Sequence, residues 1–259
     1  MDKNLLITII TVVKNDEDHI EQTIKSVINQ NDPNIEYIII DGASFDNTKN
    51  IINKYINHID KFISEPDKNL YDALNKGIKL SKGNIIGICL SGDHYMPGAF
   101  DIVKNYFKKN QDVDFLFGSI VRNYTGTSII KTGFYPKRIL YNFDAQTSIS
   151  TGFFITRGAQ NIVGEYDLNF PVSSDYDFFY RLMIKHKLKG VSSKKDEIIG
   201  EMSAGGLSSK ITYIAHLKEE TKIRLKNKQN ILLIFAIIVN GMLKNFKRIY
   251  REAKKMILK

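Results

Sequence analysis

Four short polar segments, each with at least one carboxylate, follow four apolar runs in the first hundred residues. They are residues 14–16, 41–44, 65–67 and 91–93. A carboxylate can bind a divalent cation that carries a nucleotide diphosphate, because Mg²⁺ keeps few protein ligands and takes the rest from phosphate and water. It can also accept hydrogen bonds from a base or ribose. Asp93 suits the first role and Asp41 the second. The plainer alternatives are that Asp93 caps a helix that starts near Pro97 and that Asp41 is a turn residue.

Other common site chemistries have no signature in this sequence. It contains no G-x-G-x-x-G, no G-x-x-x-x-G-K-[ST], no H-E-x-x-H and no G-x-S-x-G. The single cysteine, Cys89, excludes an internal disulfide and a Cys-rich zinc site, and we expect it to be a buried thiol in a reducing compartment. The five histidines are scattered and form no ligand pair at helical spacing.

The elements that must position these acids alternate between two hydrophobic periods. Residues 5–13, 35–42, 61–66 and 84–91 are short, β-branched apolar runs typical of strands buried on both faces. The segments between them have a helical period, as in Ile20, Ile24 and Val27 and again from Ile51 to Ile59. This β-α-β-α order predicts an α/β domain with a mostly parallel, Rossmann-like sheet flanked by helices. Ligands of such sheets bind beyond the carboxyl ends of the strands, where the acids lie.

The second half of the chain has a weaker pattern. Residues 112–121 predict a fifth strand, and three further short strands are indicated at residues 127–133, 151–156 and 197–202. Residues 173–187 predict a helix with Ser173 or Ser174 as its N-cap. The N-terminal apolar run is expected to be the first strand and not a signal peptide, because it lacks a small-residue cleavage site.

The C-terminal segment differs in charge from the rest. Residues 216–259 hold 12 basic and 3 acidic side chains, which accounts for the whole net charge of +9. Residues 230–243 are apolar but too short to span a bilayer, and a basic helical stretch follows them. We therefore predict two parts, a domain of residues 1–215 and a basic, amphipathic helical tail of residues 216–259. Residues 230–259 are expected to lie on an anionic membrane surface, or else to pack on the domain.

Several motifs together resemble glycosyltransferase family 2, whose members have the GT-A fold. They are TVVKN (11–15), DGASFDNT (41–48), SEPDKNLYDALNKGI (64–78), GNIIGICLSGD (83–93) and SSDYDFFYRL (173–182). The resemblance covers roughly residues 5–210 of the chain. It implies an inverting sugar transferase that uses a nucleotide-sugar donor and a divalent cation, either Mg²⁺ or Mn²⁺.

The resemblance also implies roles for individual residues. Asp93 matches the metal-binding acid, and Asp175 matches the general base that takes the proton of the acceptor hydroxyl, with Asp177 as the alternative base. Contacts with the nucleotide-sugar are implied for residues at the strand ends and on the following helix, namely Thr11, Val13, Asp41, Asp72, Asn75, Lys76, Ser91 and Gly92. The pair Asn75 and Lys76 has a plainer alternative as a solvated helix end.

Two departures from the family pattern stand out. Leu90 and Gly92 occupy positions where family members often have acids or asparagine, so Asp93 is the one certain acid of the metal site. Ser150 and Thr151 stand where many members have a His-Gln pair.

These observations together predict a transferase that uses a UDP-sugar and a glycan or lipid-linked acceptor in surface polysaccharide synthesis. We expect it to be cytoplasmic and peripheral on the inner face of the membrane, with no nucleic acid as a partner. The alternatives are a nucleotidyltransferase, which normally has a glycine-rich loop after its first strand, and a non-catalytic nucleotide or nucleic-acid binding protein.

Overall fold

The computed structural model of this chain describes residues 5–124, 126–141, 150–203, 212–247 and 250. Its strands are β1 (Ile7–Val13), β2 (Ile35–Asp41), β3 (Lys61–Ser64), β4 (Ile85–Ile88), β5 (His94–Tyr95), β6 (Phe115–Phe117), β7 (Ser119–Tyr124), β8 (Thr127–Lys131), β9 (Phe153–Thr156), β10 (Gly190–Ser192) and β11 (Ile198–Met202). Its α-helices are α1 (Ile20–Ile28), α2 (Thr48–Asn53), α3 (Leu70–Leu80), α4 (Ala99–Lys109), α5 (Arg157–Val163), α6 (Ser174–Tyr180), α7 (Tyr213–Lys226) and α8 (Ile231–Lys244).

A mostly parallel sheet forms the centre of the described chain, in the order β10-β6-β9-β4-β1-β2-β3. Strand β9 is antiparallel to both of its neighbours, and the other pairings in this sheet are parallel. A second, smaller sheet has the order β5-β11-β7-β8. The predicted α/β class with a mostly parallel sheet is therefore confirmed.

The alternation of side chains along the central strands creates a core on each face of the large sheet. On β1, Ile10 and Val12 belong to one buried cluster, and Ile7 and Ile9 belong to the other. Helices α3, α5 and α6 cover the first face, whereas α1, α2 and α4 cover the second. Cys89 is buried in the second cluster, as predicted.

Gly118 divides the predicted fifth strand into two. Its neighbours lie on different sheets, because β6 pairs in the large sheet and β7 pairs in the small one. A side chain at position 118 would meet Ile199 at 1.5 Å, so only a glycine allows β11 to approach this closely. The sequence prediction of one continuous strand over residues 112–121 was wrong for this reason.

Two predicted helices are shorter than their apolar periods indicate. Helix α2 ends at Asn53, because the backbone N–H groups of Lys54 and Tyr55 bond to carbonyls three residues back and a 3₁₀ turn over Ile56–His58 follows. The helix predicted over residues 173–187 consists of α6 and a π-helical turn over Arg181–Lys185.

The predicted tail begins inside a helix that belongs to the packed structure. The boundary predicted between residues 215 and 216 falls within α7, whose Ile223 is fully buried in the core. Helix α8 packs on α7, where Gly241 approaches the Tyr213 hydroxyl. No helix in the described ranges is long and apolar enough to cross a membrane. Residues 248, 249 and 251–259 of the predicted tail lie outside the described residues.

Candidate active site

Hydrogen bonds tie together the loops that follow β1, β2 and β4. The hydroxyl of Ser91 donates to Oδ2 of Asp16 at 2.6 Å. The backbone N–H of Asn15 donates to Oγ of Ser44 at 2.7 Å. In the loop after β4, Gly92 has a φ of +91°, a conformation that favours glycine. Three of the four polar segments predicted to share one edge of the sheet, residues 14–16, 41–44 and 91–93, therefore meet there.

The carboxylate of Asp41 is fully buried at the end of β2. It accepts hydrogen bonds from the backbone N–H and hydroxyl of Ser44 and, at 2.6 Å, from the hydroxyl of Ser64. These contacts hold the turn after β2 against the end of β3. Thr11 and Val13 are also buried, and the hydroxyl of Thr11 lies 3.1 Å from the Tyr37 hydroxyl.

Lys76 is the centre of an ion-pair network on α3. Its Nζ lies 2.6 Å from Asp67 Oδ1, 2.8 Å from Glu65 Oε1 and 3.9 Å from Asp72 Oδ2. Burial opposes the charged form, but the two nearer carboxylates outweigh it and raise the pKa of Lys76 above its ordinary value. A Cβ on Gly42 would lie 3.1 Å from Asp67, so this network adjoins the end of β2.

The neighbours of Lys76 on α3 differ in what they contact. Asn69 caps the helix by accepting from the backbone N–H groups of Tyr71 and Asp72, and Asp72 Oδ2 accepts from the N–H of Lys68 at 3.0 Å. Asn75 is buried, and its side-chain amide both donates to and accepts from the backbone of Tyr166 at 2.9 Å. The contacts of Asn75 therefore join α3 to the segment after α5.

Asp93 lies beyond the end of β4 and is only 5% exposed. Its Oδ1 accepts from the backbone N–H of Ser203 at 2.9 Å. Burial raises the pKa of Asp93 to about 6, and hydrogen bonds with Ser150 and Ser203 limit the rise. Ser150, which replaces part of the family's His-Gln pair, thus contacts the predicted metal ligand.

The donor set around Asp93 limits what kind of metal site this edge can form. Among the residues that the structure describes, no three His, Cys, Asp or Glu side chains are grouped so that they could hold a metal ion. A divalent cation held by Asp93 would accordingly have few protein ligands and would take the others from phosphate and water. Mg²⁺ accepts such a donor set, so Asp93 fits the role of a metal ligand.

Asp175 lies in the first turn of α6 and is partly buried. The hydroxyl of Tyr71 lies 3.0 Å from its Oδ1. Burial raises the pKa of Asp175 above its ordinary value, and the hydrogen bond from Tyr71 opposes the rise. A carboxyl with a raised pKa and a fixed orientation has the properties of a general base.

The alternative base, Asp177, has a different environment. Its side chain is fully buried and accepts from Arg181 Nε at 2.9 Å, Lys226 Nζ at 3.1 Å and Asn227 Nδ2 at 2.9 Å. These three donors engage both carboxylate oxygens and connect α6 to α7. Asp177 therefore belongs to a structural ion-pair network with Arg181 and Lys226.

Two residues around Asp175 were missed by sequence reasoning. Tyr71 directly precedes Asp72 in the motif on α3, and this position in the sequence could have indicated that it lies near the site. Glu219 lies on α7, and its Oε2 accepts from the backbone N–H groups of Val172 at 3.1 Å and Ser173 at 3.0 Å. The sequence indicates Glu219 only weakly, as one of three acids in the basic segment of residues 216–259.

A family model described as "Glycosyl transferase family 2" matches residues 8–163, more than half of the chain. The chain belongs to glycosyltransferase family 2. The match covers the strands and helices from β1 to α5, and it includes all of the predicted site residues except Asp175.

Similar proteins agree with this membership. Over 254 residues, the chain is 26% identical to UDP-Glc:alpha-D-GlcNAc-diphosphoundecaprenol beta-1,3-glucosyltransferase WfaP of Escherichia coli. The aligned region covers 93% of this chain and 95% of the E. coli protein.

Solved structures share its fold. S. aureus TarS superimposes with a TM-score of 0.67 at 14% identity, covering 93% of this chain and 43% of TarS. Mannosyltransferase PcManGT from Pyrobaculum calidifontis, in complex with GDP-Man and Mn2+, has a TM-score of 0.60 at 15% identity, covering 92% of this chain and 70% of that one. These likenesses confirm the predicted GT-A type of fold.

Proposed function

We propose that this family 2 member transfers a sugar, with inversion, from a UDP-sugar to a glycan or lipid-linked acceptor in surface polysaccharide synthesis. Support for the donor and acceptor classes comes from the E. coli relative, whose name gives a UDP-Glc donor and a diphosphoundecaprenol-linked acceptor. A TarS fragment with the same fold, at a TM-score of 0.66, was solved in complex with UDP-GlcNAc. A lipid-linked acceptor would bring the enzyme to the cytoplasmic face of a membrane as a peripheral protein, and we expect no nucleic acid partner.

The observation that carries this proposal is that α3 contacts both halves of the site. Its Tyr71 bonds to Asp175, and its Lys76, five positions later, joins the network of Glu65 and Asp67 beside the end of β2. Helix α3 thus connects a candidate base with the sheet edge where donors bind in α/β folds.

In the proposed reaction, Asp175 accepts the proton of the acceptor hydroxyl. The acceptor oxygen forms a bond to the anomeric carbon of the donor as the bond from that carbon to the diphosphate breaks, and the diphosphate leaves with the bonding electrons. One base is enough for this single displacement, and the transition state has oxocarbenium character as in glycoside cleavage. The raised pKa of Asp175 favours proton uptake.

The proposed donor contacts lie at the strand ends and on α3. The residues concerned are Thr11, Val13, Asp41, Asp72, Asn75, Lys76, Ser91 and Gly92. Asp41 and Asn75 are buried, and their polar atoms already form hydrogen bonds within the chain. These two residues would therefore support the donor indirectly, by fixing the segments around it. Ser91 and Gly92 are less buried and lie beside Asp16.

We include a divalent cation, Mg²⁺ or Mn²⁺, as the cofactor in this proposal, with Asp93 as the residue that would hold it. Such an ion supplies positive charge to the diphosphate leaving group. Support comes from the Mn2+ present in the PcManGT complex and from the position of Asp93 beyond β4.

The test is a panel of UDP-, GDP- and dTDP-sugars, measured by thermal stabilisation and by transfer to lipid-linked acceptors. A UDP-sugar should raise the melting temperature, because binding to the folded state alone stabilises it. Asp175→Asn should keep this stabilisation and lose transfer by about 100-fold or more. Asp101→Asn, a change at an exposed acid of α4, is the control. A flat response to all donors, or full transfer by Asp175→Asn, would contradict the proposal.

A further inference from the structure

Helix α8 is apolar around its whole circumference. Each residue from 231 to 239 is apolar, and Asn240 is the first polar side chain after the N-cap residue Asn230. A helix that is apolar all round normally lies in a protein core or in lipid. In this chain, however, α8 packs on α7 along one side, where Ile234 is 3% exposed.

The remaining sides of α8 are open. Leu232 is 75% exposed, Phe235 67% and Leu243 72%. Together with their neighbours they recur every three or four residues along the helix and its extension, which places them on one broad outward surface. We call this surface the α8 face, and its exposed members are Ile231, Leu232, Phe235, Val239, Met242, Leu243 and Phe246. A contiguous apolar surface of this kind marks an interaction site.

The chain that follows the α8 face is strongly basic. Residues 244–259 contain seven Lys or Arg and a single acid, whereas residues 1–215 are neutral overall. An apolar face that is followed in the sequence by dense positive charge matches the boundary between the acyl chains and the headgroups of an anionic membrane. The 14 residues of α8 extend about 21 Å, which is less than a hydrocarbon core of about 30 Å, so the helix can lie in the membrane surface but not cross it.

We infer that the α8 face docks this enzyme on anionic lipid, with α8 lying in the plane of the membrane surface. A second copy of the chain is the less suitable occupant, because its basic segment would approach an equally basic one and like charges repel. The lipid surface has the opposite charge and supplies an apolar layer of unlimited area.

Helix α7 gives this docking a functional consequence, which rests on the proposed function. The same helix packs against α8 and, through Glu219, holds the backbone of Val172 and Ser173, just before Asp175. A single helix therefore connects the docked surface to the segment that carries the proposed base. A lipid-linked acceptor held in that membrane would present its hydroxyl near a base of fixed position.

The test is flotation of the full chain with vesicles, without donor or acceptor. We expect binding to vesicles that contain phosphatidylglycerol and weak binding to vesicles of phosphatidylcholine alone. The double change Leu232→Glu and Phe235→Glu should lower the bound fraction at least about tenfold. Ile162→Glu, which alters a residue of α5 that is 53% exposed, is the matched control and should bind as the wild type does.

Three outcomes would overturn the inference. They are equal binding to both vesicle types, unchanged binding of the double variant, and absence of vesicle binding together with a dimer that the double variant disrupts. The last outcome would assign the α8 face to a second copy. The flotation requires no catalysis, so an inactive Asp175→Asn enzyme that still floats separates a failure of the proposed function from a failure of this inference.

Discussion

The hydroxyl of Tyr71 lies 3.0 Å from Oδ1 of Asp175 and equally 3.0 Å from the backbone carbonyl of Val172. Tyr71 is 2% exposed and belongs to α3, whereas its two partners belong to α6 and the segment before it. A single buried hydroxyl thus sets where the carboxylate lies relative to its own backbone. The position and the pKa of the proposed base therefore depend on a residue about a hundred positions away in the sequence.

Changing Tyr71→Phe should shift the acidic limb of the pH profile of kcat/KM to higher pH. The base must be deprotonated to act, so activity falls as the pH drops through the pKa of Asp175, which burial already raises. Tyr71 stabilises the charged carboxylate, and its loss should raise that pKa further. Tyr95→Phe removes a comparable buried hydrogen bond, to Ile88, and should leave the limb in place. An unshifted limb in Tyr71→Phe would show that Asp175 is not the titrating base.

Changing Asp177→Asn should lower the free energy of unfolding by about 3 kcal/mol, because it leaves the nearly buried Arg181 without its carboxylate and removes one of the carboxylates that Lys226 contacts. Asp175→Asn should cost much less, because the hydroxyl of Tyr71 that donates to Asp175 is neutral and can still donate to an amide oxygen. Urea denaturation of the two variants gives the comparison. If Asp175→Asn proves the more destabilising, the assignment of Asp177 as the structural acid and Asp175 as the reactive one must be reversed.

Glu219 is predicted to act as a positioning residue on α7. Glu219→Ala removes the acceptor for the N–H groups of Val172 and Ser173, so the segment before Asp175 should lose its fixed position. We expect kcat to fall about tenfold while the donor KM stays within about twofold, because the proposed donor contacts lie on other elements. Glu219→Gln retains one accepting oxygen and should restore most of kcat. Lys222→Ala, on the exposed side of α7, is the control. Equal losses in Glu219→Gln and Glu219→Ala would contradict this role.

Metal binding should depend on the nucleotide. Because the described residues contain no group of three possible metal ligands, Mn²⁺ alone should raise the melting temperature little, whereas Mn²⁺ with UDP should raise it more than UDP alone. Asp93→Asn should remove the part due to the metal and keep the stabilisation by UDP. A large effect of Mn²⁺ alone would indicate a preformed metal site, and no added effect with UDP would argue against the cation.

The α/β fold could be predicted because its signals are local. The alternation of apolar periods identified β1 to β4 and the helices between them, and the position of the strand-end acids followed from sheet geometry. The placement of β9 between β4 and β6 could not be predicted, since strand pairing is decided by contacts far apart in sequence. Gly118 shows the same limit, because its need for glycine comes from Ile199.

The candidate site divides in the same way. Asp175 and Asp177 are two residues apart with similar sequence surroundings, and contacts with other parts of the chain distinguish them. Asp175 accepts from Tyr71, whereas Asp177 accepts from Arg181, Lys226 and Asn227. The role of Asn75 likewise depends on Tyr166, a partner 91 positions away. Residue types revealed which side chains could do chemistry, but the partners that decide their roles come from other elements.

The double hydrogen bond between Asn75 and the Tyr166 backbone gives α3 a fixed register. Tyr71 and Lys76 lie five positions apart on this helix, which corresponds to about 7.5 Å of rise. That length sets the spacing between the proposed acceptor side and the proposed donor side of the site. Inserting one residue between them would also rotate one side chain by about 100° relative to the other. Relatives that accept larger sugars should therefore differ in their loops and keep the length of α3 unchanged.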